Sequence, residues 1–195
     1  REAGIGERVR QVIRAVEAVD GGALRIHLVA TASIDEHRLR AAHDERSHRQ
    51  RVHRELTPRL VELCRLARDA GIALTLDTEE SERLELTLEL LAAVCRDPAL
   101  AGWNGCGIAV QTYQKRALPM LKYIVGLAQE TRRVLHVRLV KGAYWDVETV
   151  LARQNGWPIP VWQQKAESDA CFERMVDDQS PLHMVQARLQ VLVRE

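Results

Sequence analysis

Short apolar or β-branched runs alternate with longer stretches of helical periodicity along this chain. That alternation points to a parallel α/β architecture, because parallel strands need a helical crossover between them. Four such units are legible. Val9, Val12, Ile13, Val16 and Val19 fall at helical spacing within residues 7–19, and Gly21-Gly22 stops that helix before a first strand from Leu24 to Ala30. Residues 34–54 are dense in Arg, Glu, Asp and His and read as a charged helix or connection. A helix follows to about Ala70, with Pro58 in its first turn, where a missing N–H costs nothing, and Gly71 at its end.

The next units follow the same plan. Ile72 to Leu76 forms a strand ending on Asp77, and Thr78-Glu79-Glu80-Ser81 offers capping groups for a helix from about Glu80 to Cys95. Gly107 to Gln111 is a third strand, followed by a helix from about Lys115 to Glu130. Val134 to Val140 is a fourth, opening into the loop Lys141-Gly142-Ala143-Tyr144-Trp145-Asp146. Leu182, Val185, Leu189 and Leu192 recur at spacings that predict an amphipathic helix in the tail, residues 177–195.

With 195 residues and 46% hydrophobic content there is material for one core. A net charge of +1 supplies no field to attract nucleic acid, and no run of about 18 apolar residues spans a bilayer. The chain therefore reads as cytoplasmic. Cys64, Cys95, Cys106 and Cys171 include no Cys-x-x-Cys pair and read as buried thiols. His37, His43, His48 and His53 do not recur at the i, i+4 spacing of helical metal ligands, so no metal is expected. No glycine-rich phosphate loop follows any strand.

Polar residues stand at the carboxyl ends of successive strands, where barrels and open α/β sheets both build their sites. Asp77, Gln111, Arg138, Lys141, Tyr144 and Trp145 make a mixed acid, amide, base and aromatic set suited to a planar, hydrogen-bonding ligand. Each has a plainer reading: Asp77 as a helix cap, Arg138 as half of an interior ion pair, Trp103 as a structural anchor.

Four ordered motifs sharpen the picture: Leu76-Asp77-Thr78-Glu79-Glu80-Ser81-Glu82-Arg83-Leu84-Glu85, Leu100-Ala101-Gly102-Trp103-Asn104-Gly105, Gln111-Thr112-Tyr113-Gln114-Lys115-Arg116 and Arg138-Leu139-Val140-Lys141-Gly142-Ala143-Tyr144-Trp145-Asp146. Together with Gln164-Lys165-Ala166-Glu167-Ser168-Asp169, they resemble the proline dehydrogenase domain of bacterial bifunctional proline utilisation proteins, over about residues 55–176. The resemblance implies a distorted (βα)8 barrel that binds FAD and oxidises L-proline to Δ1-pyrroline-5-carboxylate, with a membrane quinone as the electron acceptor. The enzyme would lie in the cytoplasm or at the inner membrane's surface.

By that resemblance Arg138 stands beside the flavin, Gln111 hydrogen-bonds it, and Lys141, Gly142, Ala143 and Trp145 line it. Asp77, Leu139 and Tyr144 face the substrate. The family's first-strand lysine is replaced in the run His27-Leu28-Val29-Ala30-Thr31, where His27 is the candidate.

Three segments result: residues 1–54 with the first helix, strand and charged connection, 55–176 as the barrel core, and 177–195 as a helical tail. The family's pocket tyrosine and paired-arginine helix, which grip the substrate carboxylate, do not occur before Glu195. A complete barrel takes about 200 to 250 residues or more. The expectation is thus a partial (βα)8 barrel of about four units, with activity impaired by truncation. The alternative is a non-catalytic remnant of such an enzyme that self-associates to cover its open edges.

Overall fold

The fold is taken from a computed structural model, which describes residues 23–26, 42–177 and 185–187. The helix expected over residues 7–19, the Gly21-Gly22 stop, the run from His27 to Ala30 and His37 lie outside the described residues.

Among the described residues, five strands form one sheet in the order β1 (Ala23–Ile26), β2 (Ala73–Leu76), β3 (Cys106–Gln111), β4 (Leu135–Val140) and β5 (Val185–Ala187). Every neighbouring pair is parallel. Between them run α1 (Ala42–Asp69), α2 (Leu84–Arg96), α3 (Ala117–Thr131), α4 (Trp145–Asn155) and α5 (Lys165–Asp177), with short 3-10 turns at Ser81–Arg83 and Pro98–Leu100.

Each strand lies beside its sequence neighbour, so the right-handed crossovers carry all the helices to one face. In agreement, α1 packs on α2, α2 on α3, and α3 on α5 in a single layer. A doubly wound sheet would reverse its strand order; this one is the arc of a barrel.

Side-chain alternation divides the sheet. Leu74, Leu76, Cys106, Ile108, Val110, Leu135, Val137 and Leu139 enter the core against the helices. Ala73, Thr75, Gly107, Ala109, Gln111, His136 and Arg138 therefore occupy the opposite face. The core is completed by Leu60 and Cys64 of α1, Leu91 and Val94 of α2, and Ile124 and Ala128 of α3, all nearly inaccessible. The four cysteines are free and buried.

Two expectations fail. Of the two readings of residues 34–54, the helix holds from Ala42, and it runs unbroken into the next, so α1 begins at Ala42 instead of near Pro58 and Pro58 lies in its interior. The charged segment is held there by α2: Arg49 Nη2 donates to Glu85 Oε2 at 3.0 Å, and His53 Nε2 meets Glu89 Oε2 at 2.8 Å. Tertiary ion pairing thus extends a helix whose own apolar stripe starts later.

The second is at Val185; Leu182, Leu189 and Leu192 of the expected tail helix lie outside the described residues. Val185–Ala187 is a fifth strand, not a helical turn, with Leu135 opposite Val185 and Val137 opposite Ala187. The unpaired edge of β4 offers a ladder of N–H and C=O groups, and joining it outweighs the local helical spacing. Among the described residues, no helix is long and apolar enough to cross a membrane.

Candidate active site at the strand carboxyl ends

The β3–β4 register sets Ala109 beside Arg138, and Leu76 pairs with Ile108 one step before Asp77. Asp77, Ala109 and Arg138 therefore lie in one row across three strands on the face away from the helices. Arg138 Nη2 donates to Asp77 Oδ1 across the small Ala109 side chain, which is itself buried. The pair is well shielded, with side-chain exposures of 16% for Arg138 and 8% for Asp77, so its mutual attraction is little screened. The interior ion pair read for Arg138 is thus present, and it sets a positive charge at the strand ends.

Gln111 closes the row from the end of β3. Its Nε2 donates to Thr78 O at 2.7 Å and Glu79 O at 2.8 Å. Two carbonyl acceptors settle which way the amide points, and Oε1 is consequently turned away from them. Thr78 Oγ1 donates to Ala109 O at 3.2 Å, tying the β2 loop to β3. Two buried atoms of this row, Gln111 Oε1 and Arg138 Nε, have no hydrogen-bond partner among the described residues. An unpaired acceptor and an unpaired donor at one mouth suit a planar heterocycle that carries both kinds of group.

Beyond the strands, the β3 and β4 chains stay together. Thr112 N–H donates to Val140 O at 2.8 Å and Tyr113 N–H to Lys141 O at 2.9 Å. Tyr113 then packs under Gly142, whose φ is 133° and where an added Cβ would lie 2.2 Å from the tyrosine ring. Only glycine permits this approach. Burial, reinforced by the Glu148 carboxylate, pushes the Tyr113 phenol up from its ordinary value.

The remaining expected residues divide between the mouth and its rim. Tyr144 is half-buried, and burial together with the nearby carboxylates of Glu79, Glu80 and Asp77 raises its phenol, which places it beside the acidic β2 loop. Lys141 is exposed and held by Asp169 Oδ1 at 2.6 Å, with Lys165 on the other oxygen at 2.5 Å. Trp145 is 40% exposed and donates from Nε1 to Trp162 O at 2.8 Å. Ala143 is exposed in the loop.

Leu139 does not join this set. Alternation that turns Arg138 to the mouth turns Leu139 into the helix-side core, so its expected place in a substrate pocket is corrected. His27 lies outside the described residues. Trp103 is partly buried against the core, and its carbonyl accepts from Arg133 Nη1 at 3.2 Å, as a structural anchor would. His53 is engaged with Glu89.

Glu148 is the residue that sequence reasoning missed. It is 3% exposed on α4, where Val147 and Val150 are about half exposed. A helix that buries a glutamate and exposes valines departs from ordinary amphipathicity, and that inversion was the available signal. The expected capping by Thr78 to Ser81 is also corrected: Glu80, at the N-cap of the 3-10 turn, makes no side-chain cap bond.

A proline dehydrogenase family model matches residues 4–184. The match begins well before the motifs and extends past Val176, where the sequence resemblance ended. Among curated proteins, the chain is 46% identical over 138 residues to the bifunctional protein PutA of Escherichia coli (strain K12), covering 69% of this chain and 10% of that protein. It is 43% identical over 136 residues to that of Rhizobium meliloti, covering 11% of it. Among solved structures, it is similar to proline utilization A with proline bound in remote sites, at a TM-score of 0.71 and 40% identity, covering 73% of this chain and 15% of that one. Proline utilization A from Bdellovibrio bacteriovorus inactivated by N-propargylglycine matches at a TM-score of 0.69 and 33% identity. The chain thus spans about a tenth of the length of the curated relatives it matches.

Proposed function

The chain belongs to the proline dehydrogenase family, and we propose that it carries the flavin-contacting part of an FAD-dependent L-proline oxidation to Δ1-pyrroline-5-carboxylate. The observation that carries this reading is the row of Asp77, Arg138 and Gln111, with Gln111 Oε1 and Arg138 Nε unpaired among the described residues. Those atoms fit the edge of an isoalloxazine ring, which presents a ring N–H and acceptor nitrogens and oxygens.

A flavin, when bound, supplies the hydride acceptor. The chain's own groups bind and orient. Gln111 Oε1 would accept a hydrogen bond from the ligand, while its Nε2 stays committed to Thr78 O and Glu79 O. Arg138 presents a guanidinium whose charge favours developing negative charge, and Asp77 holds it in place so that little reorganisation is needed. Gly142 and the exposed Ala143, Lys141 and Trp145 would hold the rest of an extended cofactor at the rim. Tyr144, beside the acidic loop, faces the substrate together with Asp77.

L-Proline as substrate is supported by the relatives' names as proline utilisation proteins; a quinone as electron acceptor is proposed from the family resemblance alone, and association with a second copy from the open edges of a partial barrel. Titration of the purified chain with FAD, followed by flavin fluorescence, tests the reading. Saturable quenching that is weakened by Gln111→Leu and Arg138→Met supports it, and quenching indifferent to both substitutions contradicts it.

A further inference from the structure

Groups from three successive βα units meet at Ser81. Its N–H donates to Glu148 Oε1 at 2.5 Å and its Oγ to Glu148 Oε2 at 2.5 Å. Its carbonyl accepts from Arg116 Nη2 at 2.5 Å. Ser81 opens the 3-10 turn that leads into α2, and the orphan N–H of that turn finds no acceptor on Glu80. Glu148, from the first turns of α4, supplies it across the sheet.

The segment so fastened is the one that matters at the mouth. Residues 77–80 carry Asp77, which pairs with Arg138, and the carbonyls of Thr78 and Glu79, which orient Gln111. Glu148 lies four residues after Tyr144, whose carbonyl accepts the Glu148 N–H at 2.9 Å. One carboxylate therefore sets the spacing between the loop that holds Gln111 and Asp77 and the turn that presents Tyr144 and Trp145.

We propose that Glu148 is a positioning residue for the cofactor and substrate groups, clasping the β2–α2 loop to α4 through the N–H and hydroxyl of Ser81. The role in ligand binding rests on the flavin reading above; the clasp itself does not.

Amide hydrogen exchange of the purified chain, read on peptides spanning 77–83 and 141–148, tests the clasp without any ligand. Glu148→Ala should speed exchange in both segments by about tenfold or more and weaken FAD binding by a similar factor, since two charge-assisted bonds are lost. Glu148→Gln can still accept the Ser81 N–H and donate to its Oγ, so it should restore both values to within about threefold. Ser81→Ala, which keeps the N–H bond, should fall between and serves where Glu148→Ala does not fold.

Unchanged exchange at 77–83 in Glu148→Ala and Ser81→Ala would overturn the clasp. Faster exchange with unaltered FAD affinity would overturn the positioning role. A wild-type chain that binds no flavin, yet whose Ser81 segment still depends on Glu148, would contradict the flavin reading while supporting the clasp.

Discussion

Arg138 on β4 reaches over Ala109 to form an ion pair with Asp77, which stands just beyond the end of β2, two strands away. The pair ties the sheet together at its carboxyl ends and fixes a positive charge at the mouth. Asp77→Ala leaves that guanidinium buried without its partner, which costs about 3–5 kcal/mol when a buried pair is broken. Urea unfolding should show the loss; a midpoint unchanged from wild type would mean the pair contributes little.

Gln111→Leu keeps the volume but removes the donations from Nε2 to the β2 loop. The carbonyls of Thr78 and Glu79 then lose a partner, at a cost of about 1–3 kcal/mol for buried groups. FAD affinity should fall along with stability. A variant that loses stability but binds FAD as before would show that Gln111 serves the fold alone.

Gly142→Ala should be severely damaging. Its φ of 133° excludes an ordinary side chain, and the new methyl would overlap the Tyr113 ring. Near-ultraviolet circular dichroism, which reads the packing of aromatic rings, should change around Tyr113, and an unaltered spectrum would contradict the close approach.

Arg133 offers a contrast. It is buried at the opposite end of β4, where it donates to Leu100 O at 2.6 Å, Trp103 O at 3.2 Å and Asp97 O at 3.3 Å. Residues at a barrel's amino-terminal face serve stability and lie away from the site. Arg133→Met should lower the unfolding midpoint while leaving the FAD affinity of the remaining folded protein intact.

The buried thiols give a pH dependence. Burial pushes the Cys95 thiol up from 9.0 to about 12, with Cys106 adding to the rise, and Cys106 is raised in its turn by its contact with Cys64 and by burial. Thiols held protonated in the fold but free to ionise when unfolded add stability that is complete below the unfolded value. That contribution is lost as pH climbs through the folded one, so stability should fall between about pH 9 and 12. Substituting Cys95 with alanine should flatten this slope.

The strand ends were legible because alternation is local. A run such as Val134 to Val140 announces both a strand and the polar residue that leaves it, and Asp77, Gln111 and Arg138 were found on that basis. What escaped depends on contacts far apart in sequence. The extension of α1 to Ala42 rests on ion pairs with α2, β5 forms because β4 has an edge to fill, and Glu148 matters only once Ser81 is folded against it. Leu139 was misplaced for a simpler reason: a family motif names neighbours in sequence, whereas a strand sends neighbours to opposite faces.

The most direct test of the account is to reconstitute the chain with FAD, desalt it, and add L-proline without oxygen while following the flavin band near about 450 nm. The account predicts that flavin is retained and that proline bleaches it. Retained flavin that dithionite bleaches but proline does not would contradict proline oxidation, and flavin lost entirely on desalting would contradict the cofactor site itself.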